Sequence, residues 1–232
     1  MHSHQPITHK PLYNQQASAV SKYTVPGKNV KMTSAKLRAQ CVSHPKHTVL
    51  VTCYLQFYGH AFANVSSYGN KELVVDEQVY QCYIATQLLQ SLKFDALFSC
   101  VDIVSLVSSH PAACNALVKY AAANIKDVDL GFICEHAGGI LASSPISYLK
   151  AAQLRGTLFE DDYDTSTISS VFTKFYVDHT EPLAVLSHCK EKDQWCLGEL
   201  LDGYEFLAIF PIAPVSPTTP ISLVEPKTPT VS

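Results

Sequence analysis

Acidic residues are absent from the first fifty positions of this 232-residue chain, although 20 occur in the remainder. Glycine is scarce, at 9 residues, which excludes collagen-like and Gly-rich low-complexity architectures. Only 16% of residues are charged and 47% are hydrophobic, so a mostly disordered chain is excluded too. No run approaches the roughly 18 unbroken apolar residues that a membrane-spanning helix needs. The nearest, Phe206 to Val215, is interrupted by Pro211 and Pro214. An apolar leader is lacking at Met1-His2-Ser3-His4-Gln5-Pro6, which predicts a cytoplasmic chain with no membrane association. On that expectation the eight cysteines stay as thiols, and those inside apolar runs, such as Cys53 and Cys134, act as small buried hydrophobes.

What the N-terminal part does contain is positive charge. Lys10, Lys22, Lys28, Lys31, Lys36, Arg38 and Lys46 lie within residues 1–50, while the remaining 10 basic and 20 acidic residues leave the rest at −10. Clustered cations attract phosphate whatever its sequence, so these seven are the candidate nucleic-acid-binding residues. The same segment could also lie against the acidic body. Residues 1–40 are polar and lack hydrophobic periodicity; they read as a basic flexible arm, with one short helix over Ser34–Gln40. Residues 211–232 read as a proline-rich tail. Pro211, Pro214, Pro217, Pro220, Pro226 and Pro229 share one frame of three, which lines one edge of a polyproline II helix. That edge would suit a proline-motif-binding protein.

Between arm and tail, residues 41–210 read as a single globular domain. The expected strands are His47–Tyr58, Val128–Cys134, Ile168–Val177, Leu183–Ser187 and Tyr204–Phe210. The expected helices are Glu72–Leu92, Phe94–Val107, a run from Pro111 to Asn124 led by Ser109, a Ser144-capped segment ending at Gly156, and a short one from Asp193 to Gly203. The predicted class is α+β, with a run of helices packed on one face of a small mixed sheet and tails at both ends.

Several constellations could carry chemistry. Cys196, beside Trp195 near an expected helix start, could be a thiolate nucleophile with His188 or His179 as base and Asp178 orienting it. His179, His188, Cys189 and Cys196 are all permitted zinc ligands, but no Cys-x-x-Cys occurs and adjacent His188-Cys189 would diverge on a strand. Glu160, Asp161, Asp162 and Asp164 form an acidic run without the spacing of a calcium loop. Glu135 to Gly139 follows an expected strand, and its amides could face an anion. Ordinary packing explains each of these groups as well, so no catalytic residue, metal or cofactor is expected.

The arm–body–tail layout, like that of coat and nucleocapsid proteins, predicts a non-enzymatic nucleic-acid-binding or packaging protein that associates with copies of itself. The alternative is a cytosolic interaction or adaptor protein acting through its tail. A small thiol or acid/base enzyme is the third reading.

Overall fold

A computed structural model describes residues 17, 19, 25–28, 33, 35, 48–52, 59–64, 69–75, 84–91, 101–144, 146–160 and 166–212. The architecture is α+β, as the sequence predicts. Seven strands form one mixed sheet in the order β1-β2-β3-β4-β7-β6-β5. β1 (Thr48–Thr52), β2 (Gly59–Asn64) and β3 (Gly69–Val75) make an antiparallel meander. β4 (Ile103–Ser108), β7 (Gly203–Pro211), β6 (Ser170–Phe175) and β5 (Gln153–Arg155) make a second antiparallel set. The sets meet through a short parallel pairing of β3 with β4, Gly69 opposite Val104 and Asn70 opposite Ser105.

β7 is the centre of the core. Phe206, Leu207, Ala208, Ile209 and Phe210 are all buried, so both faces of the strand are covered. Such continuous apolar composition marks a fully buried strand. Helix α1 (Ile84–Ser91) buries Leu88 and Leu89. Helix α2 (Pro111–Tyr120) packs on β4 and β7 through Cys114, Leu117 and Tyr120. His110, rather than the expected Ser109, caps it: Nδ1 accepts from the Ala112 N–H at 3.1 Å. The proton then sits on Nε2, which donates to Glu181 at 2.6 Å. One imidazole thus caps the start of one helix and ties it to the first turn of another.

Six expected elements differ. Glu72 to Val75 belong to β3, where Val74 and Val75 favour a pleated strand, and the helix begins only at Ile84. Ile103 to Val107, expected as helix, form β4, whose Ile-Val-Ser-Leu-Val is strongly β-branched. Residues 128–134, expected as a strand closed by Gly138-Gly139, open helix α3 (Leu130–Ser143) instead. Asp129 caps it by accepting from the Phe132 N–H at 3.1 Å, and Ile133, Ala137, Ile140 and Leu141 form its buried stripe. Leu183 to Ser187 lie in helix α5 (Thr180–Glu191), not in a strand; Asp178, one residue before the His179 N-cap, accepts from the Thr180 N–H, and Pro182 suits the first turn. Asp193 to Gly203 contain no helix; Asp193 and Gly198 adopt positive φ in a chain of turns.

The expected Ser144-capped helix to Gly156 is only the single turn α4 (Ser147–Lys150), whose N-cap is Ile146 without a side-chain bond; Ser144 instead ends α3, and after α4 the chain enters β5. Pro211, expected at the head of the tail, is the last residue of β7, opposite Ile103 and exposed. A residue with no N–H is tolerated at that end of a strand. Apart from Pro211 and Ile212 the tail lies outside the described residues, as does the Ser34–Gln40 helix except Ala35. Among the described residues no helix is long and apolar enough to cross a membrane.

Candidate functional site

The polar grouping that packing explains least sits where β6 leads into α5. Asp178 Oδ1 accepts from the Thr180 N–H at 2.9 Å and from its hydroxyl at 2.6 Å. These bonds hold the carboxyl below the usual carboxylate range, so Asp178 is ionised at neutral pH. His179 follows, only 6% exposed, with Nδ1 3.8 Å from Asp202 Oδ1 and no hydrogen-bond partner for Nε2. Burial pushes its pKa below the ordinary 6.5, against a smaller upward pull from Asp202 and Asp178.

Three elements build this place. Val177 is pinned by an antiparallel bridge to Ala17, whose N–H donates to the Lys28 carbonyl while its own carbonyl accepts from Gly27. A short piece of the basic segment is thereby held against the body. Asp202 comes from the turn before β7. Together they bound an open depression of about 430 Å³, with Leu183 and Pro26 on its apolar side.

A second grouping lies beneath α2 and α5. Cys114 is fully buried, and desolvation, joined by Cys196, Cys189 and the buried Glu205, pushes its thiol far above the ordinary range. Asn115 Nδ2 lies 3.6 Å from Cys189 Sγ. Cys196 is half-buried, and desolvation pushes it up to about 11. A thiol so placed is protonated at neutral pH, the opposite of an activated nucleophile. The helix start expected beside it is absent, since residues 193–202 contain no helix.

The structure does not bring Cys196, His188 and Asp178 together as a relay. Asp178 is engaged by Thr180, and His188 is exposed beside Glu191 at 3.8 Å. From Thr180 to His188 the helix rises about 12 Å. His188 and Cys189 diverge because they are neighbours on a helix, one exposed and one buried. Among the described residues no group of three or more His, Cys, Asp or Glu is placed to hold a metal ion. Glu135 to Gly139 lie inside α3, so they form no anion-binding loop. Of the acidic run only Glu160 is described, and it pairs with Arg155. Of the seven arm cations only Lys28 is described; Lys10, Lys22, Lys31, Lys36, Arg38 and Lys46 lie outside the described residues.

No family model, curated protein or solved structure matches this chain. Its function is therefore argued from its own residues. Asp202, Glu205 and Cys114 belong to the two groupings, yet sequence reasoning did not single them out. A signal existed for one: Glu205 is the lone charge within the apolar Tyr204–Phe210 run.

Two outcomes follow from these environments. Below about pH 6.5 an unfolded chain takes up a proton that the buried His179 imidazole resists. The stability His179 contributes is thus present above that pH and lost as pH falls toward its depressed folded value. Acidification from pH 7 to pH 5 is expected to lower the urea midpoint more in wild type than in His179→Gln. Equal pH dependence would refute this assignment. Separately, iodoacetamide at neutral pH is expected to modify exposed Cys134 first among the four described cysteines, Cys196 slowly, and Cys114 only after unfolding. Peptide mass mapping reads the order, and early labelling of Cys196 would revive the thiol-nucleophile reading.

Proposed function

We propose that this protein is a non-enzymatic nucleic-acid-binding protein that holds phosphate through its basic N-terminal arm. One observation carries the reading: the arm's cations have no acidic neighbours in sequence, and the Lys and Arg ion pairs among the described residues are closed within the body. Lys126 pairs with Asp193, Arg155 with Glu160 and Lys190 with Glu199. Lys28 is exposed and takes part in none of them. Three body cations are thus matched to body carboxylates, and a charge of +7 belongs to the first fifty residues. Clustered cations that neutralise phosphates release counterions from a polyanion, which is the source of sequence-independent affinity.

The test replaces all seven cations with glutamine rather than deleting the arm, because Ala17 is buried against Val177 and its removal would disturb the body. In low salt, fluorescence anisotropy with a short random-sequence oligonucleotide is expected to show at least about 100-fold weaker binding by the glutamine variant. Equal binding by both proteins would sink the proposal.

A further inference from the structure

The sheet has two outer strands, and they are not alike. An edge strand leaves a row of backbone N–H and C=O groups without a sheet partner, and proteins defend such edges by keeping them short or by placing charge on them. β5 (Gln153–Arg155) has both defences: it is three residues long and carries Arg155, which pairs with Glu160. β1 at the opposite edge has neither. Its five residues, Thr48-Val49-Leu50-Val51-Thr52, include no charge, proline or glycine, and all but Leu50 are β-branched. β1 pairs with β2 in an unbroken antiparallel register, with no bulge to twist it away. Among the described residues no strand lies along its other side.

The order of the β1 residues is an independent observation. Thr-Val-Leu-Val-Thr reads the same from either end. A two-fold contact between identical chains must be self-complementary, with residue i opposite j and j opposite i. Antiparallel pairing of β1 with a second β1, centred on Leu50, sets Thr48 opposite Thr52, Val49 opposite Val51 and Leu50 opposite Leu50. Every position then meets its own residue type. Threonine pairs and pairs of β-branched residues are favourable across antiparallel strands. The register is specified as well. Thr48, Leu50 and Thr52 share one face of the strand, and Val49 and Val51 share the other. A slip of one residue would join the Thr-Leu-Thr face of one copy to the Val-Val face of its partner.

We propose that β1 is a dimerisation strand: two copies of this chain meet edge to edge, antiparallel about Leu50, and their sheets continue across the two-fold axis. Main-chain hydrogen bonds supply the affinity, as in other strand additions. The contact uses the same edge on both copies and closes on itself, so it makes a dimer and not a fibre. β1 offers no countercharge to a basic or acidic peptide, whereas a second copy matches it residue for residue. A strand of five residues is about 17 Å long, so the contact belongs to the small, reversible class. The inference concerns the sheet alone and does not depend on nucleic-acid binding.

The experiment uses the full chain. Sedimentation equilibrium from about 1 to 100 μM is expected to show reversible growth from 25.5 kDa to twice that mass and no further. Two double variants then test the register. Thr48→Lys with Thr52→Lys sets like charges opposite each other at both ends of the contact and should weaken the dimer at least about 10-fold. Thr48→Lys with Thr52→Glu sets opposite charges there and should return dimerisation to within about threefold of wild type. Both variants alter the same two positions, so a general cost of charge on β1 falls on both alike. If either loses the wild-type circular dichroism, hydrogen exchange on the unsubstituted protein decides the matter. Amides of residues 48–52 should exchange more slowly as concentration rises, while those of β5 should not. A mass of 25.5 kDa throughout, equally strong dimers in the two variants, open-ended larger species, or exchange over 48–52 that ignores concentration would overturn the proposal.

Discussion

Replacing Gly198 with alanine is expected to destabilise the protein by about 3 kcal/mol, with a fall of roughly 6–12 °C in midpoint temperature for a chain of this size. Gly198 has φ +84°, and a Cβ at that position would lie 2.4 Å from both Ile168 N and Ser166 O. Neither atom can retreat cheaply. Ser166 O already accepts from the Glu199 N–H at 3.0 Å, while Ile168 N–H and Ser169 N–H both donate to Leu197 O. Trp195 Nε1–H closes the same loop by donating to Gly198 O at 2.8 Å, and its ring sits edge-on to Phe206 at 4.7 Å. The clash therefore falls on backbone that is stitched to the floor of the core rather than on a yielding side chain. Gly138 is the control. It lies in the interior of α3, where an added Cβ would meet nothing within 4 Å, so Gly138→Ala should raise stability by about 0.5–1 kcal/mol. Equal thermal midpoints for the two variants would contradict the packing described for the 195–199 turn.

The second large effect is ionic. If the seven arm cations contact phosphate, log K against log salt should fall with a slope near −6 on duplex DNA and near −5 on single strands. A rise from 50 to 200 mM salt would then weaken binding by about 1,000-fold on single strands and about 4,000-fold on duplex. The slope should approach zero in the seven-glutamine variant. It should also be independent of oligonucleotide sequence, because phosphate contacts position a protein without reading bases. A shallow slope with strong sequence preference would instead place the contacts on base edges, away from the arm.

The sequence shows some of this architecture plainly. β7 is legible because Tyr204 to Phe210 is apolar almost throughout, and β6 because Ile168 to Val177 is β-branched and aromatic. α2 is legible from Pro111 and its alanines, although the capping duty of His110 depends on a neighbour, Glu181, that lies far along the chain. The misread elements share a cause. Val128 to Cys134 and Leu183 to Ser187 are short apolar runs in which helix and strand patterns coincide, and only the carboxylates that bond the first helical amides, Asp129 and Asp178, separate them. Glu72 to Val75 fits the helical spacing of the residues after it, but pairing with β2 prevails. At the candidate site His179 and Asp178 were visible as chemistry-bearing residues. Asp202 reaches them only through the turn before β7, and Cys114 meets Cys196 only because α2 folds over that turn; neither proximity exists in one dimension.

The narrow joint between β3 and β4 has a mechanical consequence. Two residue pairs link the meander to the rest of the sheet, whereas β4 and β7 are zipped along six. Cooperative units part where the fewest bonds cross. The sheet is therefore narrowest at this joint, and what secures the three N-terminal strands to the β4-β7-β6-β5 slab is helix α1, which packs on β2 and β3 on one side and on α2 on the other.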